Sequence, residues 1–171
     1  MQRKKELKID YKPFNGHQSI FHLQPYAMKV YHQRWYVVGY LKEQEGIRNI
    51  ALDRILEMEL TDDSFILPND AEEYYAHTVG IFVNDKLKPQ KVVVRVFGVH
   101  VEYMRSLPLH FSQQEIKTEH KEYSDFEYQL CLTPELTSQL LAMGEKIEVM
   151  EPIGLREEIR KRLFAAINRY K

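Results

Sequence analysis

The sequence has very little cysteine. Its 171 residues include a single one, Cys131, which excludes a disulfide framework and a metal site built from several thiolates. Such a chain fits a reducing compartment. Cys131 stands in the stretch YQLCLT, which is typical of a buried strand, and a structural thiol is expected there rather than a nucleophile.

Long hydrophobic runs are also missing. No apolar run approaches the roughly 20 residues that a membrane-spanning helix needs, and the N-terminal stretch MQRKKELKIDYKPF lacks the apolar segment of a signal peptide. We therefore expect a cytoplasmic protein with no membrane contact. Apolar residues make up 44% and charged residues 29%, which is typical of a globular chain long enough for one ordinary domain or two small ones.

Motifs for catalysis, nucleotide phosphates and metals are absent as well. The sequence contains no GxSxG, no P-loop and no GxGxxG. Its seven histidines form neither an HxH nor an HExxH spacing, so a histidine-based metal site is not expected. We predict no enzyme, no metal and no cofactor. The histidines are His17, His22, His32, His77, His100, His110 and His120.

What the sequence does have is charge of one sign in one region. The formal net charge is −1, yet residues 1–54 carry 10 Lys or Arg against 5 Asp or Glu, a net of +5. Acidic residues from Glu57 to Asp63 then largely offset this excess. Segregated charge is compatible with an anionic ligand on one part of the surface, but it also arises by chance in globular proteins.

The first part of the chain reads as five short antiparallel strands. ELKIDYK alternates apolar and polar residues, Asn15-Gly16 is a hairpin turn signal, and SIFHLQ is a second strand that Pro25 is expected to end. YAMKVY and RWYVVGYL follow, and IRNIALDRILEMEL is a long fifth strand, bent or split near Asp53. Five such strands favour a small closed β-barrel, because closure removes exposed edges. We assign residues 1–67 to this domain.

Turn-forming residues then interrupt the pattern. We interpret residues 68–90 as a linker with one short helix near residues 71–77.

Strands and helices alternate in the second part, residues 91–171. KVVVRVF is a strand, GVHVEYMRSL a helix, and QEIKTEHKEYSDFEYQLCLT a hairpin that turns near Ser124-Asp125. Thr133 caps a helix that opens with Pro134 and closes at Gly144, EKIEVMEP is a last strand, and a C-terminal helix follows. The order strand-helix-strand-strand-helix-strand predicts a ferredoxin-like fold, so the whole chain is assigned to the α+β class.

Two arginines in the fifth strand need an explanation. Arg48 and Arg54 are six residues apart, which predicts one face of a strand, with Ile50 and Leu52 between them. A guanidinium cannot be neutralised in a protein interior, and burying it unpaired is costly. They either pair with carboxylates such as Asp53 or Glu57, or reach solvent at the barrel rims, or await an anionic partner.

Neighbouring strands add suitable side chains to these arginines. Arginine forks bind phosphate bidentately, and tyrosines offer a stacking face and a hydroxyl. The pattern therefore predicts a pocket for a phosphate and a base. Its candidate ligand-binding residues are Arg48, Arg54, Tyr36, Arg34, Tyr11 and His22.

The stretch PYAMKVYHQRWYVVGY…IRNIALDRI resembles the signature of the WYL domain. The tripeptide is Trp35-Tyr36-Val37, with valine in place of leucine, and Arg48 to Ile55 match the last strand of the signature. Ile50 stands where an aromatic residue is usual, and Ala51 where another arginine is frequent. The tail LLAMGEKIEVMEPIGLREEIRKRLFAAINRY is similar to WCX, the C-terminal extension that often follows a WYL domain.

This resemblance carries expectations of fold and function. It implies an Sm-like, SH3-type β-barrel in the ligand-sensing and dimerising part of a bacterial transcription regulator. Its ligand would be single-stranded nucleic acid or a nucleotide, bound at positions that match Tyr36, Arg48 and Arg54. Regulators of this kind contact DNA through an N-terminal helix-turn-helix, for which MQRKKELK is too short, so we favour a fragment of a longer regulator. The alternative is a stand-alone accessory module that binds RNA or a protein without reading DNA.

Overall fold

The computed structural model describes residues 4–68, 75–82, 86–116, 120 and 122–171. The chain divides into two compact units, one made of Met1–Ala76 with Ile81–Lys86 and the other of His77–Gly80 with Leu87–Lys171. The described residues form two antiparallel sheets and three α-helices, which confirms the α+β class. The predicted domain limits at residues 67 and 91 stay predictions, and most of the predicted short helix near 71–77 lies outside the described residues.

Five strands in the order β4-β3-β2-β1-β5 form the sheet of the first unit. Their core side includes Ile9, Leu23 and Leu41, which are almost fully buried. The strands are β1 (Lys4–Tyr11), β2 (Ser19–Tyr31), β3 (Arg34–Leu41), β4 (Gly46–Ala51) and β5 (Ile55–Phe65).

The predicted strand end at Pro25 is wrong. Pro25 does not end a strand, because β2 continues as a single element from Ser19 to Tyr31. The pairing with β3 slips between Pro25 and Ala27, so a β-bulge accommodates the proline, which has no N–H to donate to the ladder. The two strands predicted on either side of Pro25 are therefore one.

The long fifth strand is split near Asp53, which is one of the two predicted forms. A 3-10 turn at Leu52–Arg54 separates β4 from β5 and leads β5 onto β1, at the far end of the sheet from β4. Each of the two strands has a single partner in the described sheet, which is therefore not a closed barrel. The prediction of barrel closure was wrong for the described residues, because β4 and β5, the two edge strands, do not pair with each other.

The second unit has the predicted order of elements, including the C-terminal helix. Its sheet has the order β7-β8-β6-β9, in which each strand is antiparallel to its neighbours. The elements are β6 (Gln90–Phe97), α1 (His100–Ser106), β7 (Gln114–Ile116), β8 (Tyr123–Leu130), α2 (Pro134–Ala142), β9 (Ile147–Glu151) and α3 (Ile153–Ile167).

In this unit the predicted start of α2 is confirmed, but the predicted hairpin turn at Ser124-Asp125 is wrong. The Thr133 side chain accepts a hydrogen bond from the backbone N–H of Leu136, and Pro134 opens α2, as predicted. Ser124 and Asp125 lie inside β8 rather than at a turn, because Ser124 is buried and Asp125 pairs with Arg95. In the part of the chain that the structure describes, no helix has both the length and the apolar character needed to cross a membrane.

Candidate anion-binding site

The loop between β1 and β2 meets the 3-10 turn between β4 and β5. The backbone N–H of Lys12 donates a hydrogen bond to the carbonyl of Arg54 (3.1 Å), just beyond the pair formed by Tyr11 and Ile55. This contact fixes the start of the loop beside Arg54. Phe14, two residues further along, then projects from the loop with 69% of its surface exposed.

Arg34 reaches the same place from the start of β3. Tyr36 lies opposite Ala51, the last residue of β4, and the 3-10 turn that holds Asp53 follows Ala51 directly. The Arg34 Nη1 atom lies 3.7 Å from Asp53 Oδ2. We call Phe14, Arg34, Asp53 and Arg54 the Phe14 cluster.

Two guanidinium groups share the ring of Phe14. The Cζ atom of Arg54 lies 4.0 Å from the ring centroid and that of Arg34 lies 5.6 Å from it. Both distances are within the range of a cation–π interaction. The cluster therefore combines two permanent positive charges with one exposed aromatic face.

The guanidinium of Arg54 does not have all the hydrogen-bond and charge partners that it can bind. Its Nε atom is buried and has no hydrogen-bond partner, and no carboxylate lies within ion-pair distance of its guanidinium among the described residues. An unpaired buried donor costs about 1–3 kcal/mol, and more when it is charged. The Phe14 ring offsets only part of this cost, so an incoming anion would meet an arginine that lacks a counter-charge.

Arg95 in the second unit shows the contrasting state. Its Nε and Nη2 atoms donate to the two carboxylate oxygens of Asp125 at 2.8 and 2.9 Å, and its Cζ atom lies 4.0 Å from the Tyr123 ring centroid. The ring contact matches that of Arg54, but here an internal carboxylate completes the guanidinium. Asp125 raises the pKa of Arg95, chiefly through these hydrogen bonds.

Arg34 is only loosely paired. A separation of 3.7 Å from Asp53 is an ion pair but is longer than a hydrogen bond. Nearly half of each side chain is exposed, and exposed pairs contribute at most about 1 kcal/mol. A phosphate could therefore compete with Asp53 for Arg34.

The described contacts do not bring Arg48 to the cluster. Its Nε atom donates to Gln44 Oε1 (2.9 Å) and its Nη1 atom donates to the carbonyl of Ile47 (2.8 Å). The 3-10 turn at Leu52–Arg54 breaks the alternation that predicted one row for Arg48 and Arg54. No described ion pair or hydrogen bond links the two arginines.

Two further candidates have roles inside the first unit. Tyr11 is 9% exposed and packs against Phe21 with ring centroids 5.8 Å apart, so we leave it out of the site. His22 is held by Glu43, whose carboxylate contacts the His22 backbone N–H and its Nδ1 atom (2.8 Å).

Tyr36 remains beside the cluster. It is half-buried and lies two residues from Arg34, hence on the same face of β3. Its role in ligand binding stays a prediction.

Phe14 is the residue that the sequence analysis missed. A large apolar side chain directly before the Asn15-Gly16 turn is visible in the sequence, but single exposed apolar residues are common at protein surfaces and do not mark a site by themselves. Its contacts with two arginines could not be read from the sequence, because they depend on the loop meeting a turn about 40 residues away.

Metal and thiol chemistry find no support at these positions. Within the described ranges, no group of three or more His, Cys, Asp or Glu side chains could hold a metal ion. Cys131 is buried, its thiol lies 3.6 Å from the carbonyl of Leu87, and burial raises its pKa. These features disfavour a thiolate at neutral pH.

Comparisons with known proteins assign both parts of the chain. Residues 1–60 match the family model of the WYL domain, and residues 88–167 match that of the WCX domain. The chain carries a WYL domain followed by a WCX domain. The Phe14 cluster thus lies within the part that matches the WYL domain.

Solved structures similar to the WYL–WCX chain are distant in sequence. One is proteasome accessory factor B/C (PafBC) of Arthrobacter aurescens, at 19% identity and a TM-score of 0.40 over 96% of this chain and 25% of that one. Another is a CRISPR Cas-related protein, at 12% identity and a TM-score of 0.60 over 98% of this chain and 48% of that one. The second likeness supports the fold alone, and the chain spans half or less of the length of either structure. No curated protein sequence matches the chain significantly.

Proposed function

We propose that the WYL–WCX chain is the ligand-sensing part of a bacterial transcription regulator, and that the Phe14 cluster binds single-stranded nucleic acid or a nucleotide. The observation that carries the proposal is the half-buried guanidinium of Arg54, which has an aromatic ring beside it and no carboxylate partner in the described structure. Phosphate oxygens would complete Arg54 and Arg34, because guanidinium groups bind phosphate in a bidentate manner. A base would stack on the exposed face of Phe14.

The remaining parts of this proposal concern assembly. The regulator would act as a cytoplasmic homodimer and would contact DNA through a helix-turn-helix outside this sequence. Ligand binding would shift the dimer between two arrangements, which requires a ligand affinity that differs between them. The proposal also includes an Sm-like, SH3-type fold for the five strands of the WYL part. It includes a ferredoxin-like fold for the WCX part, which the observed order of elements supports.

Fluorescence anisotropy with labelled oligothymidylate at several salt concentrations tests the proposal. Arg54→Ala is expected to weaken binding about tenfold or more and to lower the slope of log affinity against log salt by about 0.7, the value for one phosphate contact on a single strand. Phe14→Ala is expected to weaken binding by about 1–3 kcal/mol through the loss of one stacked base. Circular dichroism would verify that each variant is folded.

Arg48→Ala is the matched control. It removes the same charge from the same unit, but the Arg48 guanidinium already donates to Gln44 and Ile47, so its effect on affinity should be less than about twofold. Equal losses in Arg48→Ala and Arg54→Ala would reduce the site to general charge attraction. Binding unchanged in Arg54→Ala and in the Arg34→Ala/Arg54→Ala double variant would contradict the proposal.

A further inference from the structure

An apolar groove of about 490 Å³ lies within the WCX part. Its walls come from α1 and the loop after it on one side and from α2 and β9 on the other. This volume is in the range of about 300–1,000 Å³ that is typical of pockets for small organic molecules. The apolar lining residues are Val96, Met104, Leu107, Leu109, Met143 and Ile147.

The polar groups on this groove are neutral or basic. The groove is also lined by Tyr103, Gln139, His100 and Lys146, and none of its described lining residues is acidic. Lys146 is exposed and has no carboxylate within ion-pair distance in the described part of the chain. The lining therefore offers an apolar surface with an unneutralised cation at its edge.

Lys146 differs in this respect from four cationic residues of the same unit. These four each lie within 4 Å of at least one carboxylate, and they are Lys91, Arg95, Arg105 and Arg156. Carboxylates are thus plentiful in this unit but absent from the lining of the groove. The described lining itself carries positive but no negative charge, which is complementary to an anion.

We propose that the groove binds a small amphipathic organic anion, with its apolar body against Met104, Met143 and Ile147 and its carboxylate at Lys146. This ligand differs from the nucleic acid proposed for the WYL part, and the site uses residues of the second unit alone. The inference therefore stands or falls independently of the Phe14 cluster.

A second copy of the chain fits the groove less well. The exposed apolar side chains at the end of α3, Phe164 and Ile167, are an available partner surface. On that helix Arg160 and Arg162 are paired with Glu157 and Glu158. Lys161, however, has no ion pair among the described residues, and docking would bring its like charge to Lys146. An anionic small molecule has no such penalty.

Decanoate is a suitable probe, with decyltrimethylammonium as its cationic counterpart. Both would be titrated below their micelle concentrations into the full chain by isothermal calorimetry, with backbone NMR shifts to locate the site. Decanoate is expected to bind about tenfold more tightly than the cation, because one charge contact at a protein surface contributes on the order of 1 kcal/mol. The largest shifts should fall on residues that line the groove.

Two variants and one control separate charge from shape. Lys146→Glu should weaken decanoate binding about tenfold or more and remove the preference over the cation. Gln139→Trp should block both probes by filling the groove from the half-buried face of α2. Lys161→Glu makes the same charge change on exposed α3 and should alter affinity less than about twofold.

Other results would overturn the inference. These are no saturable decanoate binding, equal affinity for the two probes, equal effects of Lys146→Glu and Lys161→Glu, or shifts confined to α3. A further contradicting result is that decanoate fails to bind and the chain self-associates in a way that Gln139→Trp abolishes. The groove would then be an interface with a second copy of the chain.

Discussion

Individual arginines of this chain occur in three states, and the sequence alone distinguishes none of them. Asp125 neutralises Arg95, neutral oxygens of Gln44 and Ile47 accept from Arg48, and Arg54 has mainly the Phe14 ring. Arg48 and Arg54 were candidates from the sequence because unpaired arginines among apolar residues are costly, and Arg34 was added from a neighbouring strand. Arg48 and Arg54 were placed on one face because residues six apart share a face in a strand, but the 3-10 turn ends that alternation before Arg54.

A residue-scale prediction concerns the contact between Glu43 and His22. Burial raises the pKa of Glu43, but hydrogen bonds from the His22 backbone and ring lower it more, and the net pKa lies below the ordinary value of 4.5. Because the pKa is lower in the folded state, this stabilisation is complete above pH 4.5 and is lost as the pH falls through the folded-state pKa.

The measurement is the urea midpoint of unfolding at pH 7 and at pH 3.5. Wild type should lose more stability on acidification than Glu43→Gln does, since the variant lacks the titrating carboxylate. Glu145→Gln is the control, because the described residues give Glu145 no ion pair. Equal acid sensitivity in wild type and Glu43→Gln would show that the contact with His22 has no influence on stability.

At the scale of elements, the sequence predicted the number of strands in the first sheet but not their limits. Two predicted strands are one because a bulge absorbs Pro25, which is a place where tertiary pairing decides the backbone path. The long fifth strand is split by the 3-10 turn at Leu52–Arg54, one of the two forms predicted near Asp53. Capping of α2 by Thr133 was predictable because the whole signal lies within four residues.

Gly39 provides an element-scale prediction at the bulge. A Cβ atom there would lie 2.1 Å from the carbonyl oxygen of Gln24 and 3.0 Å from Leu23 Cδ1, so β2 and β3 can approach only around a glycine. Gly39→Ala should destabilise the protein by about 1–3 kcal/mol, as overpacking does. This should lower the melting temperature by roughly 2–4 °C for each kcal/mol.

Gly154→Ala is the matched control for Gly39→Ala. A Cβ atom at Gly154 has no heavy atom within 4 Å, and alanine favours a helix over glycine by about 1 kcal/mol or less. Thermal unfolding of this variant should occur at or above the wild-type temperature. Wild-type stability of Gly39→Ala would mean that the two strands do not approach as closely as described.

At the scale of the whole molecule, the two units have separate cores and, in the present account, separate ligands. The change from alternating strands to mixed strands and helices made a two-part organisation predictable. Neither the Phe14 cluster nor the groove at Lys146 was predictable in the same way. Each combines residues from separate segments of the chain, and a pattern within one segment does not show which distant residues it contacts.

The central claim is that, among the described residues, Arg54 has no internal counter-charge and Arg34 only a loose one in Asp53, and that a nucleic-acid phosphate completes both. The most direct test is NMR of the arginine Nε–H signals during titration with a short oligothymidylate. The account predicts saturable shifts of the Arg54 and Arg34 signals at one common affinity, with the Arg95 and Arg48 signals unchanged. Binding that leaves Arg54 and Arg34 unshifted, or that moves all four signals alike, would contradict it.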